Sequence, residues 1–549
     1  MRFDRLLFWK TLFFSLLAAY CCFYAPYGIN ETDGGFLSGL AWQLLSGKTM
    51  YADLVYVRPP IPVWLRALEL TLLPEQWAVL GERWIFYGKV ALYAWLGAAV
   101  LTAGAQRWIL AVFGFVVSVH SYPPAAWHTV DGILFGALGI WCWTNWRSTG
   151  GTLLSGVFIV ACLLCKQSFY PMAVIWGGLV LFSPRRHGGL GNIEYRTANI
   201  ECRSRVERAA GFLAFGLSLG LFFCSLYLNN TFSTFWQLTN GATSGGQALQ
   251  HGVLDYFRIQ PVLAVSSVVL LSPVGRWFWQ KRGVKMAFAA WALWLLLLAC
   301  SFGWTLYQRQ EFTVPFAQTR LLFWIAAGWG LYCFRQKDWN FEQSLRFFTL
   351  LGLSWCAAVS WGYNLPILFA LPWVYAVYDI SNRLLKAAFP QRRPAWLPVV
   401  ALLGLLVLFR LGYEFVYRDG PRGAMTIHLG DIFPKLHGIY SSAETAALYR
   451  DLRDLAAQYG PNFKTLPAFP HANFLTGTRP PLPLDWVVAR EMQAGTEQVV
   501  RAVQHQKPVL FIEKEYAERL GTDPELQFTK DCLRQGRVVA ETGYFWVVE

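Results

Sequence analysis

Apolar stretches of about twenty residues, the length needed to cross a hydrocarbon core, recur along the chain between short polar segments. The first runs from about Leu7 to Tyr27. Others are centred near Ala94, Phe115, Gly139, Val160, Leu179, Gly220, Val268, Leu296, Ile325, Leu353, Pro372 and Leu405, so thirteen spans are expected. No small-residue cleavage site follows the first span, which predicts a retained helix rather than a removed signal peptide. Phe36 to Leu45 and Ile61 to Leu73 have helical polarity periods and are expected to lie along the membrane surface.

The pattern changes near Tyr413. Ser442 to Gln458 predicts a polar helix, and Asp485 to His505 another. Pro508 to Glu513 reads as a strand, and Val538 to Val548 has β character. The expected fold is therefore an α-helical polytopic membrane protein (residues 1–412) with a small C-terminal α/β domain (residues 413–549).

Composition agrees with that division. The chain has 549 residues, 55% of them hydrophobic and 15% charged, with a mean hydropathy of +0.34. Its net charge of +14 is dispersed between the spans, which excludes a nucleic-acid footprint. The basic clusters at Arg2 to Lys10, Arg107, Arg147, Arg185 to Arg208, Arg276 to Lys285, Arg335 to Arg346 and Arg383 to Arg393 all fall on one side when the spans are counted. That side is expected to be cytoplasmic. The other side then carries Asn30 to Glu82, His120 to Asp131, Lys166 and Gln167, Asn229 to Gln260, Phe302 to Thr319 and the tail. The cysteines give no disulfide framework or metal-ligand spacing, and Cys162 and Cys165 read as packing residues.

Ionisable groups at span ends are functional candidates, because they are costly unless they face water or one another. Asp33, in Asn30-Glu-Thr-Asp-Gly-Gly35, could act as a general base or cap the Phe36 helix. Glu31 suits a supporting or metal-binding role, and a divalent cation held by Glu31 and Asp33 is one possibility. Arg58, before Pro59 and Pro60, could bind a phosphate or lie at the interface. Asp131 could cap its helix or serve the site. Lys166 stands on the side poor in basic residues, which favours an anionic partner, with Gln167 beside it. His128, Arg309 and Arg320 are possible substrate contacts; His120 and His128 suit hydrogen-bonded interfacial roles better than metal ligation. Thr239 to Gly246 reads as a flexible lid or linker without nucleotide-binding spacing.

The ordered set of Glu31-Thr-Asp33, residues 44–53 (Leu-Leu-Ser-Gly-Lys-Thr-Met-Tyr-Ala-Asp), Arg58-Pro-Pro, Asp131 and Leu164-Cys-Lys-Gln167 resembles the GT-C superfamily of polytopic glycosyltransferases. Within it, the set is most similar to the bacterial branch that includes the lipid A aminoarabinose transferase and relatives of protein O-mannosyltransferases. The resemblance implies an enzyme of the bacterial inner membrane with its tail outside the cytoplasm. The donor would be a sugar on a polyprenyl phosphate, and the acceptor a hydroxyl on a lipid, glycan or protein. Asp33 would be the base of an inverting attack, Arg58 and Lys166 would hold the donor phosphate, and Asp131 would orient the acceptor. Two departures stand out: Gly34 follows Asp33 where relatives often carry a second acid, and arginine replaces the more usual lysine at position 58. A polysaccharide polymerase or ligase, or a flippase of lipid-linked glycans, is the alternative.

Overall fold

The computed structural model describes residues 4–121, 123–146, 148–183, 196–240, 250, 252–258, 283–309, 317–359, 366–391, 397–414, 416 and 419–549. A helical bundle is built from α1 (Arg5–Phe23), α4 (Ala78–Leu101), α5 (Gly104–Ser118), α6 (His128–Asn145), α7 (Thr149–Leu163), α8 (Met172–Phe182) and α9 (Arg196–Leu228). It continues with α11 (Val284–Arg309), α12 (Ala317–Arg335), α13 (Phe341–Ala358), α14 (Leu371–Ala388) and α15 (Leu397–Glu414). Three shorter helices, α2 (Phe36–Leu45), α3 (Ile61–Leu72) and α10 (Phe232–Asn240), lie in the connections. Among the described residues, four helical segments are long and apolar enough to cross a membrane: Arg5–Phe23, Glu75–Leu101, Arg205–Leu228 and Val284–Ser301. The chain is an integral membrane protein.

Each expected span meets a described helix except the one near Val268, which lies outside the described residues. Two boundaries differ. Pro372 sits in the first turn of α14 rather than mid-span, because proline has no N–H and is tolerated where helical N–H groups have no partner. The segment expected to loop from Phe302 instead continues α11 to Arg309.

Local chemistry starts the helices. Asp4 accepts hydrogen bonds from the Leu6 and Leu7 amides at the head of α1. Asn340 and Gln343 form a reciprocal capping box on α13. Packing then depends on small residues. On α6, side chains at Gly132, Gly136 and Gly139 would overlap Phe169, Leu353 and Ile159 respectively, so these glycines let neighbouring segments approach closely. Ser155 of α7 donates to the Gly139 carbonyl (2.7 Å) and accepts from Trp176 (2.9 Å).

The tail forms a four-stranded sheet in the order β1-β2-β4-β3, from β1 (Phe463–Leu466), β2 (Val509–Glu513), β3 (Val538–Glu541) and β4 (Phe545–Val548). β1 and β2 are parallel, and the other pairings are antiparallel. The polar helix is Ala443–Tyr459, capped by Ser442. The single helix expected over Asp485 to His505 is instead Ala489–Met492 and Thr496–Gln506, divided where Gln493 takes a φ of +36°. Asp485 lies outside both helices.

Polar side chains bind the tail to the first connection. Arg83 of α4 holds the start of that connection by donating to the carbonyls of Ala25 (2.7 Å) and Gly28 (2.6 Å). Asp419 accepts from the Ile29 amide (2.8 Å) and the Thr445 hydroxyl (2.9 Å). Arg422 lies 3.5 Å from the ring centre of Tyr27 and 3.6 Å from that of Tyr413. α2 departs from the position its polarity period predicts. Instead of lying on the membrane surface it has most of its residues buried, and Gly39 lies against the Pro470 carbonyl. The covering tail removes it from lipid. α3 keeps Trp64, Leu68 and Leu72 exposed, as a surface-lying amphipathic helix should.

The centre of this junction is a buried polar group. Asp485 pairs with Lys464 at 2.5 Å and accepts from Gln43 of α2 at 2.7 Å, while Lys48 donates to Gln43 and to the Leu482 carbonyl, each at 2.7 Å. Removing one member of such a pair leaves an uncompensated buried charge. Lys464→Ala should lower stability by about 3–5 kcal/mol, measured by thermal unfolding in detergent, and adding Asp485→Ala should recover part of the loss.

Candidate functional site

The loop after α2 carries Arg58 to the foot of α3. The Tyr51 hydroxyl donates to the Arg58 carbonyl (2.7 Å), and the Gln167 amide donates to the neighbouring Val57 carbonyl (2.6 Å). Gln167 also donates to the Thr239 carbonyl (3.3 Å), so its amide positions the loop rather than facing a phosphate. The Arg58 guanidinium lies 5.3 Å from the ring centre of Phe36 and grips Glu491 with two parallel hydrogen bonds of 2.7 Å. Both side chains are buried, at 9% and 1% exposure.

Lys166 stands in the turn after α7 and donates to the Thr129 hydroxyl at 3.3 Å. It is buried, and the charges acting on it are those of Arg58 and Glu491. Desolvation, reinforced by the Arg58 cation and opposed by Glu491, pushes its ammonium down to about 7. His128 opens α6, with its ring centre 4.6 Å from that of Trp127 and a buried Nδ1 that has no hydrogen-bond partner among the described residues. The Lys166 and Arg58 charges also act on His128, so two cations, a carboxylate and an imidazole lie within one another's field in buried surroundings, where charge-assisted contacts are strengthened by exclusion of water.

Asp131 does not cap α6. It pairs with Lys89 of α4 at 2.7 Å, and Lys89 also meets Glu69 of α3 at 2.9 Å. Arg66 joins Glu69 (3.2 Å) to Glu82 (2.5 Å), which accepts in turn from the Ser38 hydroxyl and the Ala126 amide. The result is a chain of alternating charge, Asp131–Lys89–Glu69–Arg66–Glu82, across α6, α4 and α3.

The Glu82 end reaches the acid-bearing turn. Gly34, Gly35, Ser38, Glu82, Arg83 and His471 line a hollow of about 20 Å³. Asp33 begins a short 3-10 turn whose Asp33 amide is held by Asn30 Oδ1 at 2.5 Å. The N-cap position of α2 itself is Gly35. A methyl group at Gly35 would overlap the His471 ring. That imidazole is buried, bonded to the Tyr449 hydroxyl at 2.8 Å, and held down to about 3 by desolvation.

Glu31 lies on the tail side of this same turn, with its backbone beside the His471 ring. Its charge acts on Tyr449, Tyr516 and Glu513 of the tail, and burial pushes the Glu513 carboxyl upward, with Glu31 adding to the shift. His120 hydrogen-bonds to the Tyr20 hydroxyl at 2.8 Å. Arg320 donates to the carbonyls of Asp255 (2.9 Å) and Arg258 (3.3 Å), a separate cluster at the head of α12. The Arg309 side chain and residues 241–249, including most of the suspected lid, lie outside the described residues. Among the described residues no group of three or more His, Cys, Asp or Glu could hold a metal ion.

The sequence singled out Arg58, Lys166 and Asp131 but missed Glu491, Lys89, Glu69, Arg66, Glu82 and His471. Glu82, Arg83 and Lys89 interrupt an apolar span, and that was a usable signal. Glu491 and His471 lie in the tail, where an isolated acid or histidine carries none.

No protein-family model matches the chain, and no match is found among curated proteins. The chain is similar to several solved structures. The apo crystal structure of ArnT from Cupriavidus metallidurans aligns over 98% of this chain and 97% of its own, at 15% identity and a TM-score of 0.45. The oligosaccharyltransferase AglB from Archaeoglobus fulgidus, in complex with an inhibitory peptide and a dolichol-phosphate, aligns over 96% of this chain and 72% of its own, at 11% identity and a TM-score of 0.43.

The Lys166 ammonium is present below about pH 7 and lost above it, whereas in the unfolded chain it persists to about 10.4. Across that window the unfolded chain binds the extra proton, so this group makes the fold more stable as pH rises, while the site loses a cation. Thermal unfolding in detergent between about pH 6 and pH 9 should therefore show stability rising with pH, and Lys166→Met should flatten that dependence.

Proposed function

We propose that this chain is an inverting glycosyltransferase of the GT-C type. On this reading it transfers a sugar from a polyprenyl-phosphate donor to a hydroxyl acceptor at the non-cytoplasmic surface of a bacterial inner membrane. The observation that supports it most is the pair of buried cations, Arg58 and Lys166, at the end of the bundle that carries the acid-bearing loop. A lipid phosphate is an anion delivered from the membrane, and a site of this kind suits its capture.

In the proposed reaction the acceptor oxygen attacks the anomeric carbon as the bond from that carbon to the phosphate oxygen breaks. Asp33 takes the acceptor proton, and the polyprenyl phosphate leaves with the bonding electrons. A phosphate leaving group needs charge stabilisation rather than protonation, and Arg58 and Lys166 supply it. Asp131, oriented by Lys89, supports the acceptor side. Glu31, beside Glu513 and Tyr449, is better suited to shaping the loop than to proton transfer. Gln167 holds the backbone next to Arg58. His128 is placed to touch the donor headgroup.

Arg58, Lys166 and Asp131 lie in or next to the turns at helix ends and not at mid-bundle, where a transporter binds its cargo, which favours an enzyme over a flippase. Transfer from a labelled polyprenyl-phosphate monosaccharide tests the proposal. Asp33→Asn should reduce it by about 10²-fold or more with expression retained, and undiminished transfer would remove Asp33 as the base. Lys89→Ala, which leaves Asp131 buried without its cation, should lower kcat by at least about tenfold.

A further inference from the structure

The pairing of Arg58 with Glu491 has a consequence for the donor site, resting on the phosphate-binding role assigned above. Glu491 reaches Arg58 from the short helix Ala489–Met492 of the tail and fills both guanidinium arms in a buried, bidentate geometry. Arginine meets phosphate with the same fork. Lys166 lies in the field of the same carboxylate. Glu491 thus fills the guanidinium fork that a phosphate held by Arg58 would need.

The segment carrying Glu491 buries Met492 in the core that holds the sheet residues Leu466, Leu510 and Ile512, and it also meets the first connection. The Gln498 side chain donates to the Ala52 carbonyl at 3.2 Å, Gly495 lies against Val55, and Gln493 holds a φ of +36°. That backbone angle is unfavourable for a non-glycine residue, so the segment holds a bent geometry beside the site. A phosphate offers more charge and more acceptor oxygens than one carboxylate, and it can engage Lys166 together with Arg58.

We propose that Glu491 is a phosphate surrogate that neutralises the cation pair when no donor is bound and is displaced by the donor phosphate, releasing the segment 488–498. Glu491 then sets the threshold for donor binding: only an anion able to outcompete a buried carboxylate enters. It also links the tail to the state of the membrane-embedded site.

The test uses the full chain in lipid nanodiscs, a polyprenyl monophosphate as probe, and inorganic pyrophosphate as a headgroup without lipid. In the wild type, polyprenyl monophosphate should increase amide hydrogen exchange in residues 488–498 and leave the sheet strands unchanged. Glu491→Gln, which keeps the shape and removes the charge, should bind the probe at least tenfold more tightly and show fast exchange in that segment without ligand. If pyrophosphate has the same effects, headgroup charge alone displaces Glu491; if only the lipid form does, the chain supplies the extra affinity; either result supports the displacement. Tight binding that Lys166→Met weakens, with exchange in 488–498 unchanged and no gain in Glu491→Gln, overturns the surrogate role and leaves the phosphate site standing. Binding that neither Lys166→Met nor Glu491→Gln alters overturns both. The wild-type exchange measurement decides the matter even if Glu491→Gln does not fold.

Discussion

Charge buried at the end of a helical bundle must be matched, and that constraint organises the functional half of this protein. Arg66 has no exposed side-chain surface, and Glu82 and Asp131 have 3% and 2%. An ion isolated in such a place carries a penalty of several kcal/mol. Alternation of sign along Asp131–Lys89–Glu69–Arg66–Glu82 offsets it. Because the members come from α3, α4 and α6, satisfying them fixes how the first connection meets the bundle. The arrangement contributes position more than stability, since buried pairs seldom exceed well-packed apolar residues in net stabilisation.

The same requirement explains the tail. A cation as deeply buried as Arg58 needs an anion, and the tail provides Glu491. The tail also covers α2, clamps it through Asp485, and presents His471 to the Gly35 turn. It forms one wall of the loop-bearing end rather than an appendage to it. Histidine at 471 packs as a neutral ring among Phe469, Tyr449 and the glycine turn, consistent with its depressed basicity.

Chemistry and architecture meet at the acid-bearing loop. Asn30 holds the turn from within, His471 limits it from outside, and Glu82 reaches its edge from the charge chain. Asp33 starts the glycine turn, while Glu31, two residues before it, lies beside His471 and acts on the tail's Glu513 and Tyr449. A turn confined on both sides holds its side chains in a defined orientation.

By itself, the sequence determined the helical bundle, the position of nearly every described span, the strands at Val509–Glu513 and Phe545–Val548, and the candidacy of Arg58, Lys166 and Asp131. These follow from hydropathy over windows of about twenty residues and from the rarity of charge at membrane depth, both of which are local properties. Tertiary structure alone decided that α2 is buried, that the stretch from Asp485 to His505 breaks in two, that Asp131 pairs with Lys89 and that Glu491 fills Arg58. Glu491 is 433 residues from Arg58 in the chain, and no periodicity or motif encodes a pairing over that separation. Such partners are chosen by which buried charges the folded backbone brings within hydrogen-bond reach.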